Sequence, residues 1–570
     1  MSTTPHIEAS EPNVTSNGSA TNAWGTEGES SGLLAGTTPS YGATSSIAEN
    51  GSHEDFPKTQ ERKYSNAFIA RTVVALFIGV FTANADGSLV MATHPVIGSE
   101  FNDLENSSWL FIGFMLAGCA TQSLYGKLSD IFGRKSLLLI CYSLFAIGCA
   151  LVGAGQTMWQ VIIGRVISGS GGAGMTVLVA LIITDLAPLR EVASWQSYLN
   201  IIATTGRSLG GPVGGWLTDT IGWRWSFLGQ APIFAIAATY CWVALPSLRA
   251  EAQEPADQPG TRLGRIDFSG ALLLGSGIFA LMLPLEIAGS RLPWDHPAII
   301  GLFVAGAIML GTFVLVEEYW AKEPIFPIRL LRNPNVLLCY LISGSQNAAQ
   351  LTMMFSVPLY FQVTQRSSST VAGAHLVPAV VGNAVGALAS GFAIKQTGRY
   401  KALLILATLL GITSYLLLIL RWQGNTNWVE SLYIFPGGLA TGIAQTAVFI
   451  ALQASIDVSD KAAATSGLFL TSPMGATIGM AVGSALTTAG LRKGLLVRLR
   501  ELNLSADRVQ EIIEGAAADV GYIDKASPSI AGAIVQSYIE GIEYSHYVSL
   551  VCSSLALVAA LLLRERALRK

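Results

Sequence analysis

The sequence predicts an all-α polytopic membrane protein with fourteen transmembrane helices, arranged as two six-helix bundles with two further helices inserted between them. Three observations carry this prediction. Charged residues make up 12% and apolar residues 51% of the 570 positions, whereas about a quarter of a soluble chain is charged. Apolar stretches long enough to cross a bilayer recur along the chain. A short pattern of Gly followed seven residues later by Gly-Arg occurs twice, at matching places in the two halves.

So few charges cannot cover a water-soluble body of this size, but a lipid-facing surface needs no such cover; mean hydropathy is +0.49. The net charge of -3 argues against a nucleic-acid partner, because phosphate binding needs a clustered basic excess. The six cysteines, Cys119, Cys141, Cys149, Cys241, Cys339 and Cys552, fall inside apolar runs without metal-ligand spacing. They read as reduced packing residues, and no metal or other cofactor is expected. Residues 1–66 are polar and rich in Ser, Thr, Gly, Asn and Glu, the composition of a disordered cytosolic tail rather than a signal peptide. The first hydrophobic helix then serves as its own insertion signal.

Taking about 20 mainly apolar residues per span, helices are expected near 70–96, 108–125, 136–154, 159–184, 194–217 and 226–245, then 268–288 and 297–316. A second set follows near 335–361, 371–394, 402–420, 430–454, 464–489 and 546–563. The organisation is a first bundle over 67–246, a linker over 247–333 that holds spans seven and eight, and a second bundle over 334–565 with a long lumenal loop at 491–545. An even number of spans puts both termini on one side. With the termini cytosolic, Lys127, Arg134, Lys135, Arg190, Arg249, Arg262, Arg265, Lys395, Arg399 and Lys401 all face the cytosol. The short opposite loops then hold Arg224, Arg291, Arg366 and Arg421. That is the asymmetry of the positive-inside rule, in which long loops count little.

The repeat is specific in detail. Gly126-Lys-Leu-Ser-Asp130-Ile-Phe-Gly133-Arg134-Lys135 follows the second span, and Gly391-Phe-Ala-Ile-Lys395-Gln-Thr-Gly398-Arg399-Tyr-Lys401 follows the tenth. Two related six-helix units explain this placement. The first copy resembles the signature loop of the major facilitator superfamily, Gly-x-x-x-Asp followed by Gly-Arg-Lys between spans two and three. The resemblance implies a gating role for Gly126, Asp130, Gly133, Arg134 and Lys135. Glycines let helix ends approach closely, and Asp130 can pair with a basic residue or sit at a helix N-terminus. In the second copy Lys395 replaces the acid, so a different latch is expected there.

Span five carries Gly206-Arg207-Ser-Leu-Gly210-Gly211-Pro212-Val-Gly214-Gly215, which resembles the glycine-proline signature of antiporters in that superfamily. In this chain the proline stands one place later than in the usual Gly-Pro-x-x-Gly-Gly order. Small residues permit tight helix crossing and Pro212 permits bending, so Gly206, Gly210, Gly211, Pro212, Gly214 and Gly215 are a hinge or a seal, or simply a close-packed helix.

Charges at bilayer depth cost at least about 2.5 kcal/mol each on insertion scales and so point to function or to satisfied pairs. Asp86, within Asn84-Ala-Asp86-Gly-Ser88 of span one, resembles the acidic first-span motif of fourteen-span proton antiporters. A carboxylate held away from water can exchange a proton for a cationic substrate. The other reading is a structural pair with Arg165 or Arg207. Arg165 in span four is a relay, a carboxylate partner or a structural cation. Arg207 is placed either to receive a substrate carboxylate or to hold Asp86. Glu286, near the far end of span seven, reads as an interfacial carboxylate. In the second half Gln346, Asn347 and Gln350 share one turn, His375 and Asn383 lie in span ten, and Gln445 and Gln453 in span twelve. Such amides complete a polar cavity or tie helices together.

Glu29-Ser-Ser-Gly-Leu33-Leu34 matches an acidic dileucine sorting signal, which requires a flexible cytosolic segment and a sorting adaptor. Replacing Leu33 and Leu34 with alanine should then move a fluorescently tagged chain from an internal membrane to the cell surface; unchanged residence rules the signal out. From 65 to 565, and most clearly at Asp86–Pro95 and Gly206–Gly215, the chain resembles the fungal vacuolar basic amino acid transporters. That resemblance implies proton-coupled movement of lysine, arginine and histidine into an acidic vacuole. Two other readings remain: plasma-membrane export of drugs or toxins by the same architecture, and a non-transporting nutrient sensor. The chain holds no Gly-x-x-x-x-Gly-Lys-Ser/Thr loop, catalytic triad or metal cluster, so neither ATP drive nor enzymatic chemistry is expected.

Overall fold

The computed structural model describes residues 65–568 apart from 104–105, 108, 246–266, 289–291, 322–323, 368, 503, 519 and 567. Helices stand at all fourteen positions expected from the sequence. In the first bundle they are α1 (Asn66–Glu100), α2 (Trp109–Phe132), α3 (Arg134–Ala154), α4 (Met158–Leu186), α5 (Leu189–Ile221), and α6 (Trp223–Leu228) with α7 (Gln230–Ala244). The inserted pair is α8 (Phe268–Ile287) and α9 (Pro297–Tyr319), followed by the single turn α10 (Arg329–Arg332). The second bundle holds α11 (Pro334–Gln365), α12 (Ser369–Ala374) with α13 (Val377–Thr397), α14 (Lys401–Arg421), α15 (Phe435–Gln453), α16 (Lys461–Glu501), α17 (Ala506–Ala518), α18 (Tyr522–Lys525) and α19 (Pro528–Leu562).

Among the described residues, 11 helices are long and apolar enough to cross a membrane by length and composition. The expected spans outside that set are α2, α5 and α11, which carry Gln122, Asn200, Gln346, Asn347 and Gln350. Their lower hydropathy has a physical cause. Helices that face polar side chains of a neighbouring helix, rather than lipid, need fewer apolar residues.

Pairings repeat between the halves. In the first bundle α1 packs on α5, α2 on α4, α3 on α4, and α3 on α7. The corresponding pairs in the second are α11 on α16, α13 on α15, α14 on α15, and α14 on α19. The bundles meet through α5 with α13 and α2 with α16, and α8 lies against α2 and α16.

One end of this assembly, where α1 begins and α19 finishes, is called the tail end here. A single apolar cluster crosses both bundles there, joining Met175, Ile183, Leu186 and Ala193 to Ile394, Val448, Leu452 and Ala464. Towards the opposite end, among the described residues, Leu89, Val90, Leu110, Met158, Trp223 and Phe227 form one cluster within the first bundle. Met353, Tyr360, Phe361, Tyr415 and Trp422 form another within the second. The bundles are therefore sealed together at the tail end and packed separately at the other.

Two expected loops turn out helical. Gly126–Phe132 continues α2, and one residue, Gly133, links it to α3 with φ of 87°; only glycine adopts that conformation without strain. The 491–545 connection is the larger difference. α16 runs on to Glu501, α17 presents Val509, Ile512, Ile513 and Ala516 on one face, and these pack on Leu491, Leu495, Leu499, Ile534 and Tyr538. Apolar residues at that spacing bury one stripe of a helix, so the connection gains a small core of its own.

Candidate functional site

Asp86 sits on α1 with 1% of its surface exposed, and Arg165 on α4 with none. They are paired: Nη1 of Arg165 donates to Asp86 Oδ2. The other carboxylate oxygen accepts from Gln230 Nε2 of α7 at 3.0 Å. Arg165 Nε donates to the carbonyl of Leu110 at 3.1 Å. The guanidinium lies 4.3 Å from the ring centroid of Phe114 and 5.7 Å from that of Phe227. Its Nη2 has no acceptor among the described residues. Of the alternatives open in the sequence, the pair is thus with Arg165 and not Arg207. A buried charge is tolerated only when paired and hydrogen-bonded, and three helices converge to meet that need. Gln230 was not singled out from the sequence; a lone amide at the start of the apolar run of α7 was the available signal.

Arg207, on α5, is exposed and, among the described residues, its Nη2 donates to Thr204 Oγ1 at 3.4 Å. The glycines around it divide by face. A Cβ on Gly206 would lie 2.6 Å from the Phe81 carbonyl, one on Gly210 2.1 Å from the Ala85 carbonyl, and one on Gly214 2.6 Å from Leu89 Cγ. These three form the stripe that clamps α5 to the stretch of α1 holding Asn84, Asp86 and Ser88. Gly211 and Gly215 face elsewhere, with only the Ser88 carbonyl at 3.9 Å from the first and nothing within 4 Å of the second. Pro212 lies inside the helix without ending it. Asn84 turns back to donate to the Val80 carbonyl at 2.8 Å.

Polar side chains from both halves meet between the bundles. Asn383 Oδ1 of α13 accepts from Asn200 Nδ2 at 3.3 Å and from Thr204 Oγ1 at 3.2 Å, both on α5. Within the second bundle Gln445 Nε2 reaches Asn347 Oδ1 at 3.4 Å, and Thr441 donates to Gln350 Oε1 at 3.1 Å. Gln346 is buried with its Nε2 unpartnered. Gln453 donates to Thr465 at 2.7 Å, a tie between α15 and α16. His375 lies apart from this group, stacked on Phe361 with ring centroids 3.6 Å apart and sharing a hydrogen bond with Ser431. Glu286 is half-buried on α8.

The first copy of the repeated signature forms an ion-pair network at the tail end, between α2, α3 and α4. Arg134 is buried, with Nη1 on Asp130 Oδ1 at 2.7 Å and also on Ser129 Oγ, while Nε donates to Asp185 Oδ2 of α4 at 3.1 Å. Asp130 lies beyond the apolar part of α2. Burial pushes its carboxyl above the ordinary range, and the Arg134 charge opposes that shift. Lys135 is half-buried beside this network. In the second copy, where Lys395 stands in place of the acid, Glu565 Oε1 accepts from the backbone of Tyr400 at 2.9 Å and of Lys401 at 3.2 Å, at the start of α14. Arg190 of α5 donates through Nε and Nη2 to the Leu568 carbonyl at 3.1 and 2.8 Å, joining the two halves. Glu29, Leu33 and Leu34 lie outside the described residues.

Residues 76–484 match the model of the Major Facilitator Superfamily. Over 88% of this chain and 85% of the relative, the sequence is 31% identical to the vacuolar membrane amino acid uptake transporter fnx2 of Schizosaccharomyces pombe. It is 30% identical to the multidrug resistance protein fnx1 of the same yeast, over 85% and 90%. It is 27% identical to vacuolar basic amino acid transporter 2 of Saccharomyces cerevisiae, over 80% and 97%. Among solved structures, the proton:xylose symporter XylE shares the fold, with a TM-score of 0.54 at 14% identity over 87% of this chain and 95% of that one.

Proposed function

Because the chain belongs to the major facilitator superfamily and is a multi-pass membrane transporter rather than an enzyme, we propose that it exchanges protons for basic amino acids, carrying lysine, arginine and histidine from cytosol into an acidic vacuole. The observation that carries the coupling is the enclosed Asp86–Arg165–Gln230 cluster. A proton delivered to Asp86 removes the negative charge that holds Arg165. The cluster is then left with the net positive charge of Arg165, which repels a cationic side chain, so protonation from the lumen releases the substrate while the guanidinium turns to a neighbouring backbone carbonyl. A change in protonation is thereby coupled to a rearrangement of α1, α4 and α7.

The substrate class rests on the likeness to fnx2 and to vacuolar basic amino acid transporter 2. Arg207 is the unshielded cation suited to the α-carboxylate, and the amides Gln346, Asn347 and Gln350 suit the polar remainder. The tail end is the cytosolic face, in agreement with the clustering of Lys and Arg there. In that orientation the structure is sealed towards the cytosol, and discharge would take place at the opposite, lumenal end.

The likeness to fnx1 favours a second reading, export of cationic drugs. Isolated vacuolar vesicles separate the two. Labelled lysine uptake driven by an acidic interior should fall at least about tenfold when the gradient is collapsed, and a bulky cationic dye should not compete. Dye movement without lysine movement would establish export instead. Lysine binding without flux would make the chain a sensor.

A further inference from the structure

The outer face of the α16–α19 pair carries a groove unrelated to the Asp86 cluster. It has a volume of about 590 Å³ and is floored by Val482 and Leu486 of α16 and Val551 of α19, with Tyr544 and Tyr547 along one wall and Lys493 at its upper end. Its shape follows from a glycine crossing. A Cβ on Gly490 would lie 2.7 Å from Gly541 Cα, so the helices touch there and the groove begins beside the contact. Both helices are long and apolar enough to span the bilayer, so lipid is the solvent of this face.

We propose that the groove holds one acyl chain of an anionic phospholipid, with Lys493 on the phosphate. Length supports this. Val482 and Lys493 are eleven residues apart, about 16 Å of helix, which is half of the roughly 30 Å hydrocarbon core and so the depth of one leaflet. Charge supports it as well. Lys493 is exposed, and Arg492 and Arg500 are exposed on the same extension of α16. The acid packed beside Gly494, Glu540, is taken by Arg498 Nη1 at 3.0 Å, and Glu543 accepts from Tyr547 at 2.8 Å. Lys493 adds a longer-range charge at Glu540 but makes no ion pair among the described residues, so its ammonium can meet an external anion. Tyr547 turns its hydroxyl to Glu543, towards the Lys493 end, and tyrosines are among the side chains that settle at the membrane boundary.

Native mass spectrometry of the full chain, titrated separately with phosphatidylserine and phosphatidylcholine, tests the assignment. Wild type should retain phosphatidylserine preferentially. Lys493→Gln should weaken that lipid by about fivefold, the worth of one basic residue at a membrane surface, and leave phosphatidylcholine unchanged. Lys493→Arg should keep the preference, and Val551→Trp, which fills the floor, should weaken both lipids. Equal binding of the two lipids by wild type would overturn the proposal, as would an undiminished preference in Lys493→Gln. Both substituted positions are exposed, so unchanged thermal unfolding is the expected control.

Discussion

Asp86→Asn is expected to lower proton-driven lysine accumulation by at least about 100-fold, some 2.7 kcal/mol in rate terms, while leaving lysine-for-lysine exchange measurable. The asymmetry comes from the geometry. Asparagine keeps an oxygen for Arg165, and its amide can be met by Gln230 once that side chain turns, because among the described residues Gln230 Oε1 receives just the weak Cys149 thiol at 3.9 Å. The site then resembles its protonated form permanently. Exchange needs no net proton movement, whereas accumulation does. Reconstituted vesicles with and without a pH difference give both rates. Equal loss of the two in a folded, correctly inserted protein would reduce Asp86 to a structural anion. Arg165→Ala is a harsher change: removing one partner of a buried pair costs about 3–5 kcal/mol and leaves an uncompensated charge, so reduced folded yield is expected. The double variant Asp86→Asn with Arg165→Gln should recover yield without recovering accumulation.

Much of the architecture was legible because membrane insertion writes it directly into composition. Each span must be apolar over a fixed length, and the repeat at Gly126 and Gly391 marks equivalent places in the two halves. The partner of Asp86 was not legible. Arg165 and Arg207 are both arginines in neighbouring spans, and nothing in linear spacing says which one faces α1. Packing decides it, because the Gly206, Gly210 and Gly214 stripe turns α5 so that its backbone meets α1 and Arg207 points away. The glycine-rich segment was recognisable as a whole, yet its division into three packing positions and two open ones depends on helix rotation. Asp185 and Gln230 were missed because a single polar residue near a span end looks like a boundary residue. The helical connection at 491–545 could have been read: Val509, Ile512, Ile513 and Ala516 already show the helical period, but a criterion of about 20 apolar residues finds only membrane-crossing helices and gives the stretch between two of them as a loop.

Gly126→Val and Gly391→Val are expected to shift the transporter away from the state sealed at the tail end without unfolding either bundle. These glycines occupy the same place in the two repeats, and each meets the opposite bundle. A Cβ on Gly126 would lie 2.5 Å from the Ala462 carbonyl and 2.3 Å from Ser466 Oγ at the start of α16. One on Gly391 would lie 2.9 Å from the Ala193 carbonyl and 2.1 Å from Ser197 Oγ near the start of α5. Overpacking of this kind costs about 1–3 kcal/mol, equivalent to a change of roughly 5- to 150-fold between two conformations. The penalty falls on the state in which the bundles touch here, because the three atoms nearest each added Cβ all belong to the opposite bundle. Spin labels placed on the tail-end tips of α2 and α16 should therefore report a longer distance in Gly126→Val, with lysine transport reduced in proportion. Gly210→Val makes the necessary contrast: its Cβ meets the Ala85 carbonyl inside the first bundle at 2.1 Å, so it should lower folded yield rather than change the distance. An unchanged distance in Gly126→Val, alongside normal yield, would show that the glycine repeat does not control closure.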